Sequence, residues 1–340
     1  MFGYKKSDYD VKVYREELSD FLPDNIVDSH THVYRKEDGT HDRVNHPTYW
    51  PDRVADECPI DDLKRTYMDL FPDKKVVPVI FGTPTGVLNK QNAYIKKVKE
   101  ESGYPALYLT HYDMTPEFLE DEVINGGFQG LKPYLNNCRA GVNGADAEIF
   151  DFLPEKHLKV ADKYGWKVVL HISKPDRLKN PTNIKQLMEI EQKYPNIKLI
   201  VAHIGRAYAP EDIGDAFETL KRTENMMFDF CANTLPVATE KCINAVGTKR
   251  VLFGTDMPIA KMKMYRISEN GYYINVVPRG LYGDLTDAAH MRESDEKNIT
   301  NFTYEIIRGF KKTAEKLGLT KNDVADIMCN NAARLYGIKF

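Results

Sequence analysis

The chain has 340 residues, of which 42% are hydrophobic, so it is long enough to bury a sizeable core. Its formal net charge of −3 argues against binding to nucleic acid or to an anionic membrane surface. No stretch approaches about 18 uncharged apolar residues. Met1–Asp20 also lacks the apolar core of a signal peptide, so we expect a cytoplasmic protein with no membrane partner.

Short apolar runs, each bounded by turn residues, recur along the chain and predict eight β-strands. They do not alternate cleanly between apolar and polar residues, as expected of strands covered on both faces. Helical patterns lie between them, so the sequence predicts repeated strand–helix units and a parallel sheet. The predicted strands are Ile26–His32, Val76–Gly82, Ala106–His111, Phe128–Tyr134, Lys167–Ser173, Ile197–Gly205, Met226–Cys231 and Arg250–Asp256.

Several helices are marked by their ends. Thr115 followed by Pro116 predicts an N-cap with proline at the first helical position. Apolar residues spaced along Phe302–Leu317 predict a longer amphipathic helix. Thr320 with Asp323 predicts a capping box that opens the last helix.

Eight strand–helix units between Ile26 and Asp256 match a closed (β/α)8 TIM barrel, an α/β fold. The alternative is an open doubly wound sheet, which usually carries a glycine-rich turn after its first strand. This chain has His30-Thr31-His32 there instead. No linker divides the chain, so we expect one domain over residues 1–340, with the barrel core at about 26–338.

Two connections are longer than ordinary loops. Val33–Pro59 follows the first predicted strand, and a lid-like insertion at 259–300 follows the eighth. Both leave the carboxyl ends of strands, where TIM barrels place their active sites. Long loops in a compact domain are usually functional or disordered, and we interpret these two as pocket walls or lids.

Residues suited to chemistry collect at the predicted strand ends. His30 and His32 are two residues apart on one strand, so their side chains point to the same side. His171 and His203 close the fifth and sixth strands, and Asp256 closes the eighth. Imidazoles with one carboxylate suit Zn²⁺, and also Mn²⁺ or Fe²⁺. A single histidine at a strand end is more often structural, whereas this joint pattern predicts a metal site.

Taken in order, these motifs resemble the amidohydrolase-related superfamily, especially the branch of aminocarboxymuconate-semialdehyde decarboxylase and related hydrolases. The resemblance extends from about Ile26 to Ile338 and implies a metal-dependent TIM-barrel enzyme. The motifs that carry it are Asp28-Ser29-His30-Thr31-His32, Gly130-Leu131-Lys132, Leu170-His171, Ala202-His203-Ile204-Gly205, Phe253-Gly254-Thr255-Asp256-Met257-Pro258 and Asn331-Ala332-Ala333-Arg334-Leu335-Tyr336-Gly337.

The resemblance implies one divalent metal, with Zn²⁺ as the first expectation, held by His30, His32, His171 and Asp256. Asp256 and His203 would be the catalytic residues. Asp256 would take a proton from a metal-activated water, and His203 would polarise the substrate carbonyl.

Lys132 has two interpretations. In binuclear relatives a carboxylated lysine on the fourth strand bridges two metals. With one metal, Lys132 would instead be structural or face the substrate. A glutamate at this strand would have suggested a nuclease branch of the superfamily, and this chain has none there.

Arginine and tyrosine residues near the predicted site favour a small anionic substrate. Arg206 directly follows the His203 motif and can pair with a carboxylate through two N–H groups. The alternative is a solvated loop with ordinary surface ion pairs. The predicted substrate-binding residues are Lys132, Arg206, Tyr265, Arg266 and Arg279, while His41, His46, His157 and His290 are interpreted as surface or loop histidines.

Two reactions fit this site. The first is hydrolysis of a lactone, amide or similar carbonyl bond by metal-activated water. The alternative is non-oxidative decarboxylation of a small aromatic or unsaturated acid, which would use the same ligands. A non-catalytic binding protein would be favoured by the loss of a ligand, and no predicted ligand is missing.

The remaining expectations concern thiols and assembly. The five cysteines are scattered and form no CxxC pair, so we expect reduced, mostly buried thiols. Barrels of the superfamily often associate, so the resemblance also implies a capacity to form a homo-oligomer.

Overall fold

The computed structural model describes residues 6–38, 53–142, 146–286 and 288–340. Every strand predicted from the sequence is present, most of them shorter than predicted. The barrel strands are β1 Asn25–His32, β2 Lys75–Phe81, β3 Tyr108–Thr110, β4 Gly130–Pro133, β5 Lys167–Leu170, β6 Lys198–Val201, β7 Met227–Asp229 and β8 Val251–Leu252.

The eight strands are parallel and form a closed ring. β1 pairs with β2, and β3 to β8 pair in chain order. Ile80 of β2 forms a parallel bridge with Ala106, just before β3. On the other side, the Ser29 amide donates to the carbonyl of Phe253 at 3.0 Å, and the Asp256 amide donates to that of His30 at 2.9 Å. These contacts join the two sheets at both edges, so the predicted (β/α)8 barrel is confirmed.

One helix precedes β1, and the others lie between the strands and after the last of them. The predicted helix starts are confirmed where caps marked them. The Thr115 hydroxyl accepts from the amide of Phe118 at 3.2 Å. Thr320 and Asp323 form the expected capping box. The helices are α1 Asp8–Val13, α2 Ile60–Leu70, α3 Leu88–Ser102, α4 Pro116–Asn125, α5 Glu155–Tyr164, α6 Pro181–Lys193, α7 His203–Arg206 (a single left-handed turn), α8 Ala216–Leu220, α9 Pro236–Val246, α10 Phe302–Leu317, α11 Lys321–Ala325 and α12 Asn331–Tyr336.

The insertion after β8 contains a small sheet that the sequence interpretation missed. Its strands are β9 Tyr265–Glu269, β10 Tyr272–Pro278 and β11 Met291–Ser294, with β10 in the centre. β9 and β10 form a hairpin around Asn270 and Gly271, whose φ angles are 51° and 80°. Two central residues with positive φ are typical of the tightest hairpin turns, and Asn-Gly is their commonest sequence.

Within the described residues, no helix is both long enough and apolar enough to cross a membrane. The five cysteines are all free thiols, as expected, and four of them are buried.

A buried carboxylate ties the amino-terminal helix to the insertion. Asp10 of α1 is 1% exposed and accepts a hydrogen bond from the Lys263 ammonium at 2.6 Å. It also accepts from the Thr300 hydroxyl at 2.6 Å and from the Asn301 amide at 2.9 Å. Burial by itself would raise the pKa of Asp10, but Lys263, Ser7 and Thr300 together lower it. The ionised carboxylate therefore stabilises the folded state.

We expect Asp10→Asn to lower the free energy of unfolding by about 3 kcal/mol, because it leaves the Lys263 ammonium without its charged partner. The stability that the Asp10 carboxylate contributes is fully present above the pKa of an aspartate in the unfolded chain. It is lost as pH falls through the lower pKa that Asp10 has in the folded protein. Urea unfolding at pH 7 and at pH 3 measures both effects. Asp8→Asn, an exposed position of the same helix, serves as the control. Equal stability of the two variants at pH 7 would contradict this role.

Candidate metal centre

A cavity of about 190 Å³ opens at the carboxyl ends of the barrel strands. This is the end at which barrels of this kind carry out chemistry. Every residue that the sequence predicts as a metal ligand borders it. The lining residues are His30, His32, Tyr34, Thr83, Pro84, Lys132, Tyr134, Leu135, Asn136, His171, His203, Asp256, Pro258 and Ile259.

Two of the site residues lie on turns beyond the strands that were predicted to contain them. β6 ends at Val201 and β8 ends at Leu252, so His203 and Asp256 follow the strands rather than close them. His203 and Asp256 have φ angles of 58° and 68°. Non-glycine residues rarely adopt positive φ, and such strained residues cluster at functional sites. The predicted carboxyl ends of β6 and β8 were therefore wrong, because the backbone leaves the strand there and turns the His203 and Asp256 side chains toward the cavity.

A glycine lets β8 approach its neighbours closely at the site. A Cβ atom on Gly254 would lie 2.8 Å from the Cβ of His30 and 2.9 Å from that of Cys231. Those distances are shorter than carbon atoms tolerate, so any other residue would push the strands apart. Gly254 thereby brings the Asp256 turn next to β1.

The donor atoms of β1 and the Asp256 turn converge. The Nε2 atom of His32 lies 2.9 Å from Asp256 Oδ1, and the Nε2 atom of His30 lies 3.5 Å from the same oxygen. Tetrahedral Zn²⁺ with bonds of about 2.0–2.2 Å sets neighbouring ligand atoms roughly 3.3 Å apart. The distances from Asp256 Oδ1 to the two imidazole nitrogens are close to that value.

The buried histidines are held in the neutral form that metal binding requires. Burial lowers the pKa of His30 to about 3, with a smaller contribution from the Lys132 ammonium. Burial also lowers the pKa of His171, reinforced by Arg206, and the pKa of His203. The Nδ1 atom of His171 is buried without a hydrogen-bond partner among the described residues. Buried polar atoms are normally satisfied, so an orphaned imidazole nitrogen beside the cavity fits a site that binds a ligand.

The tightest group of donor atoms differs from the predicted ligand set. Within the described residues, donor atoms of His30, His203, Cys231 and Asp256 all lie within 4.8 Å of one another. The ligand set predicted from the sequence contains His32 and His171 in place of His203 and Cys231. Both sets share His30 and Asp256. His32, His171 and His203 line the cavity, whereas Cys231 is not among its lining residues, so the ligand set stays a prediction.

One carboxylate that sequence reasoning missed organises the floor of the site. Asp229, at the end of β7, is fully buried, and its Oδ2 atom lies 2.9 Å from His30 Nδ1. Its Oδ1 atom accepts from the His203 amide at 2.8 Å and from the Cys231 thiol at 2.8 Å. Burial would raise the pKa of Asp229, but His30 lowers it strongly. The carboxylate therefore fixes the His30 ring with Nε2 directed at the metal site, as a second carboxylate often does.

Cys231 and His203 form the other half of this network. The His203 Nδ1 atom lies 3.0 Å from the Cys231 carbonyl and 3.1 Å from the Cys231 sulfur. Burial and the neighbouring Asp229 raise the pKa of the Cys231 thiol, which therefore stays protonated. With Nδ1 occupied as a donor, His203 leaves Nε2 for the cavity. The sequence gives one signal for this network: Asp229 and Cys231 lie two residues apart at the end of a predicted strand.

Lys132 is a fully buried ammonium group in the cavity wall. Its Nζ atom lies 3.5 Å from His30 Nε2 and 5.0 Å from the centre of the Tyr134 ring. Burial lowers its pKa to about 8, opposed by the carboxylates of Asp229 and Asp256. A lysine so placed borders the space in which a substrate would sit.

Arginines cluster beside the site without lining the main cavity. The guanidinium carbon of Arg266 lies 4.6 Å from the ring centre of Tyr208 and 4.8 Å from that of Tyr273. Arg177 lies 4.8 Å from the same Tyr273 ring. Arg206 is held by the Ser173 carbonyl at 3.0 Å. Tyr273 belongs to β10, so the insertion packs against this cluster. Its role as a pocket wall stays a prediction.

Other predicted residues lie elsewhere. Arg279 forms surface ion pairs with Asp295 and Glu293, and Tyr265 lies on β9 outside the main cavity.

His157 was wrongly interpreted as a surface residue. It is fully buried in α5, where its Nε2 atom lies 2.9 Å from the Met114 carbonyl. His290 is partly buried and stacks on Tyr273 at 4.2 Å, while His41 and His46 lie outside the described residues.

A protein-family model described as Amidohydrolase matches residues 27–338. No curated protein sequence matches the chain. Among solved structures, a probable 2-pyrone-4,6-dicarboxylic acid hydrolase from Acinetobacter baumannii, determined with citric acid bound, is 15% identical. The alignment covers 92% of this chain and 100% of that one, with a TM-score of 0.58.

Two similar structures are decarboxylases. The 2,6-dihydroxybenzoate decarboxylase from Rhizobium is 14% identical over 93% of this chain and 99% of that one, with a TM-score of 0.56. The 5-carboxyvanillate decarboxylase from Sphingomonas paucimobilis is 10% identical over 93% of this chain and 100% of that one, with a TM-score of 0.58. At these identities the likeness concerns the fold alone.

We expect His171→Ala to abolish retention of the metal, whereas His203→Ala retains it and loses about 10²–10⁴-fold in turnover, as expected when an acid/base group is removed. Elemental analysis after dialysis gives the metal content of each variant. His111→Ala, a half-exposed histidine after β3, is the control. Full metal content in His171→Ala would contradict the predicted ligand set. Equal metal loss in His203→Ala would make His203 a ligand.

We expect Asp229→Asn to weaken metal binding by about 10–100-fold, because an amide no longer holds His30 Nδ1 as a donor. Competition with a coloured chelator measures the affinity, and NMR of the imidazole nitrogens reports the tautomer. Asp113→Asn is a matched control, since Asp113 lies 3.5 Å from the exposed ring of His111. Unchanged affinity together with an unchanged tautomer would remove Asp229 from this role.

Proposed function

The chain belongs to the amidohydrolase family, and on that premise we propose that it is a metal-dependent hydrolase acting on a lactone, amide or similar carbonyl bond of a small anionic substrate. One observation carries the proposal. The Nε2 atoms of His30 and His32 both lie within 3.5 Å of Asp256 Oδ1, at a cavity that the orphaned imidazole of His171 also lines.

These residues would hold one divalent cation, with Zn²⁺ as the first expectation and Mn²⁺ or Fe²⁺ as alternatives. Such a cation supplies Lewis acidity, which polarises a carbonyl group and acidifies water. Lys132 remains an amine in this proposal, because it contacts His30 at 3.5 Å and borders the substrate space.

Two side chains would handle protons. Burial would raise the pKa of Asp256, but His203, the hydrogen bond to His32 and His30 together lower it strongly, so the carboxylate is ionised. Its position in the cavity wall would let it take a proton from the activated water. His203 presents Nε2 to the cavity, because its Nδ1 atom is engaged by Cys231. From that position it can polarise the substrate carbonyl and stabilise the charge that develops on its oxygen.

An anionic substrate is favoured by the cations around the site. Lys132 lines the cavity. Burial is the main cause of the lowered pKa of His171, and the nearby Arg206 guanidinium lowers it further, so Arg206 lies close to this imidazole. Arg266 lies behind the ring of Tyr208, whose centre is 6.1 Å from that of His203. A carboxylate group on the substrate would complement these cations.

A second candidate is non-oxidative decarboxylation of a small aromatic or unsaturated acid. Lys132 favours it, because a buried ammonium group can hold a carboxylate close to the ligand cluster. The rings of Tyr34 and Tyr134 also line the cavity and offer flat surfaces for a planar substrate.

The metal-loaded protein should be tested with aryl lactones, N-acyl amino acids and hydroxybenzoic acids, with ¹³C NMR of the products. A new carboxylate without carbon dioxide supports the hydrolase, whereas release of labelled carbon dioxide supports the decarboxylase.

We expect Lys132→Met to lower kcat/KM for an anionic substrate by about 10–100-fold, because a charged hydrogen bond contributes about 1.5–3 kcal/mol. An uncharged analogue of the same substrate is the control. An equal loss for both would exclude Lys132 as the group that binds the anion.

A further inference from the structure

A second cavity, of about 360 Å³, lies at the opposite end of the barrel. It is formed by the first residues of β5, β6 and β7, together with the last helix, α12. Half of its lining residues are cationic, and among the described residues that border it none is acidic. The lining residues are Gly165, Lys167, Lys198, Met227, Lys249, Asn331, Arg334 and Leu335.

Two of these lysines stand side by side. Lys167 and Lys198 are aligned partners at the starts of the neighbouring parallel strands β5 and β6. Parallel strands lie about 4.8 Å apart, so aligned side chains emerge on one face. Burial lowers the pKa of Lys167, and the one charged neighbour that contributes is Lys198, which lowers it further. Like charges at such short range destabilise a sheet, so this pair has no structural benefit by itself.

The other two cations share one carboxylate. The Lys249 ammonium contacts Asp326, and Arg334 Nη1 lies 3.5 Å from the same group. Arg334 also donates to the side-chain oxygen of Asn331 at 2.5 Å. Four cationic side chains therefore face one carboxylate around this cavity, in a chain whose formal net charge is −3.

We propose that this cavity binds a phosphate-sized dianion, either inorganic phosphate or the phosphoryl group of a small metabolite. The lysine ammonium groups and the Arg334 guanidinium supply the donors that phosphate oxygens prefer. A dianion there relieves the repulsion between Lys167 and Lys198. The site lies at the amino-terminal end of the barrel strands, away from the metal centre, and is independent of the reaction carried out there.

Isothermal titration of the metal-loaded protein with sodium phosphate, against sodium chloride at equal ionic strength, tests the proposal. We expect saturable binding of phosphate, weakened at least tenfold in Lys167→Gln/Lys198→Gln. Lys75→Gln is the matched control, because Lys75 is exposed at the start of β2, at the same end of the barrel. It should change the affinity less than twofold. If the double variant does not fold, Lys198→Gln alone should still weaken binding at least threefold.

Phosphate can also bind the arginines near the metal centre, so the titration is repeated with Arg206→Gln, which should keep the wild-type affinity. Tighter binding of glycerol phosphate than of inorganic phosphate would assign the site to a phosphorylated metabolite, and the reverse order to the free ion. The proposal is overturned if the wild type shows no saturable binding. It is equally overturned if the lysine variants bind as tightly as the wild type, or if Arg206→Gln alone abolishes binding.

Discussion

The site depends on one buried carboxylate more than on any other group. Asp229 contacts His30 through one oxygen and both His203 and Cys231 through the other, with distances of 2.8–2.9 Å to His30 Nδ1, the His203 amide and the Cys231 sulfur. A buried carboxylate without such partners would carry a large desolvation penalty. The network thus has to form as a unit, and its formation orients two imidazoles that come from different strands.

The same backbone contacts that close the barrel also aim the donor atoms. The Asp256 amide donates to the carbonyl of His30, and the His32 amide donates to that of Met257, each at 2.9 Å. These bonds join β1 to the turn after β8, and they set the carboxylate of Asp256 against His32. Fold closure and site geometry are therefore one constraint, which explains why Asp256 tolerates a φ angle of 68°.

Much of the barrel could be predicted from the sequence, because strands buried on both faces form continuous apolar runs such as Val168–Leu170. The histidines that line the cavity could be picked out because they lie at the carboxyl ends of those runs. The small sheet of the insertion was missed because its strands are partly exposed and mix polar with apolar residues, although Asn270-Gly271 was a readable hairpin signal. Asp229 was missed because its role arises from contacts across three strands, which no local pattern encodes. His157 was misjudged for a similar reason, since only packing reveals that its helix face is buried.

The distance along the chain between His32 and Asp256 has a consequence for biosynthesis. Their side chains meet across 224 residues, and Asp10 meets Thr300 across 290. Contacts of such long range form late, because most of the chain must be ordered before these contacts contribute any stability. While the ribosome is still extending the chain, His30 and His32 of the first strand lack their partner Asp256, which has not yet been synthesised. Under the proposed ligand set, a metal can therefore be held in its final geometry only after the eighth strand has emerged.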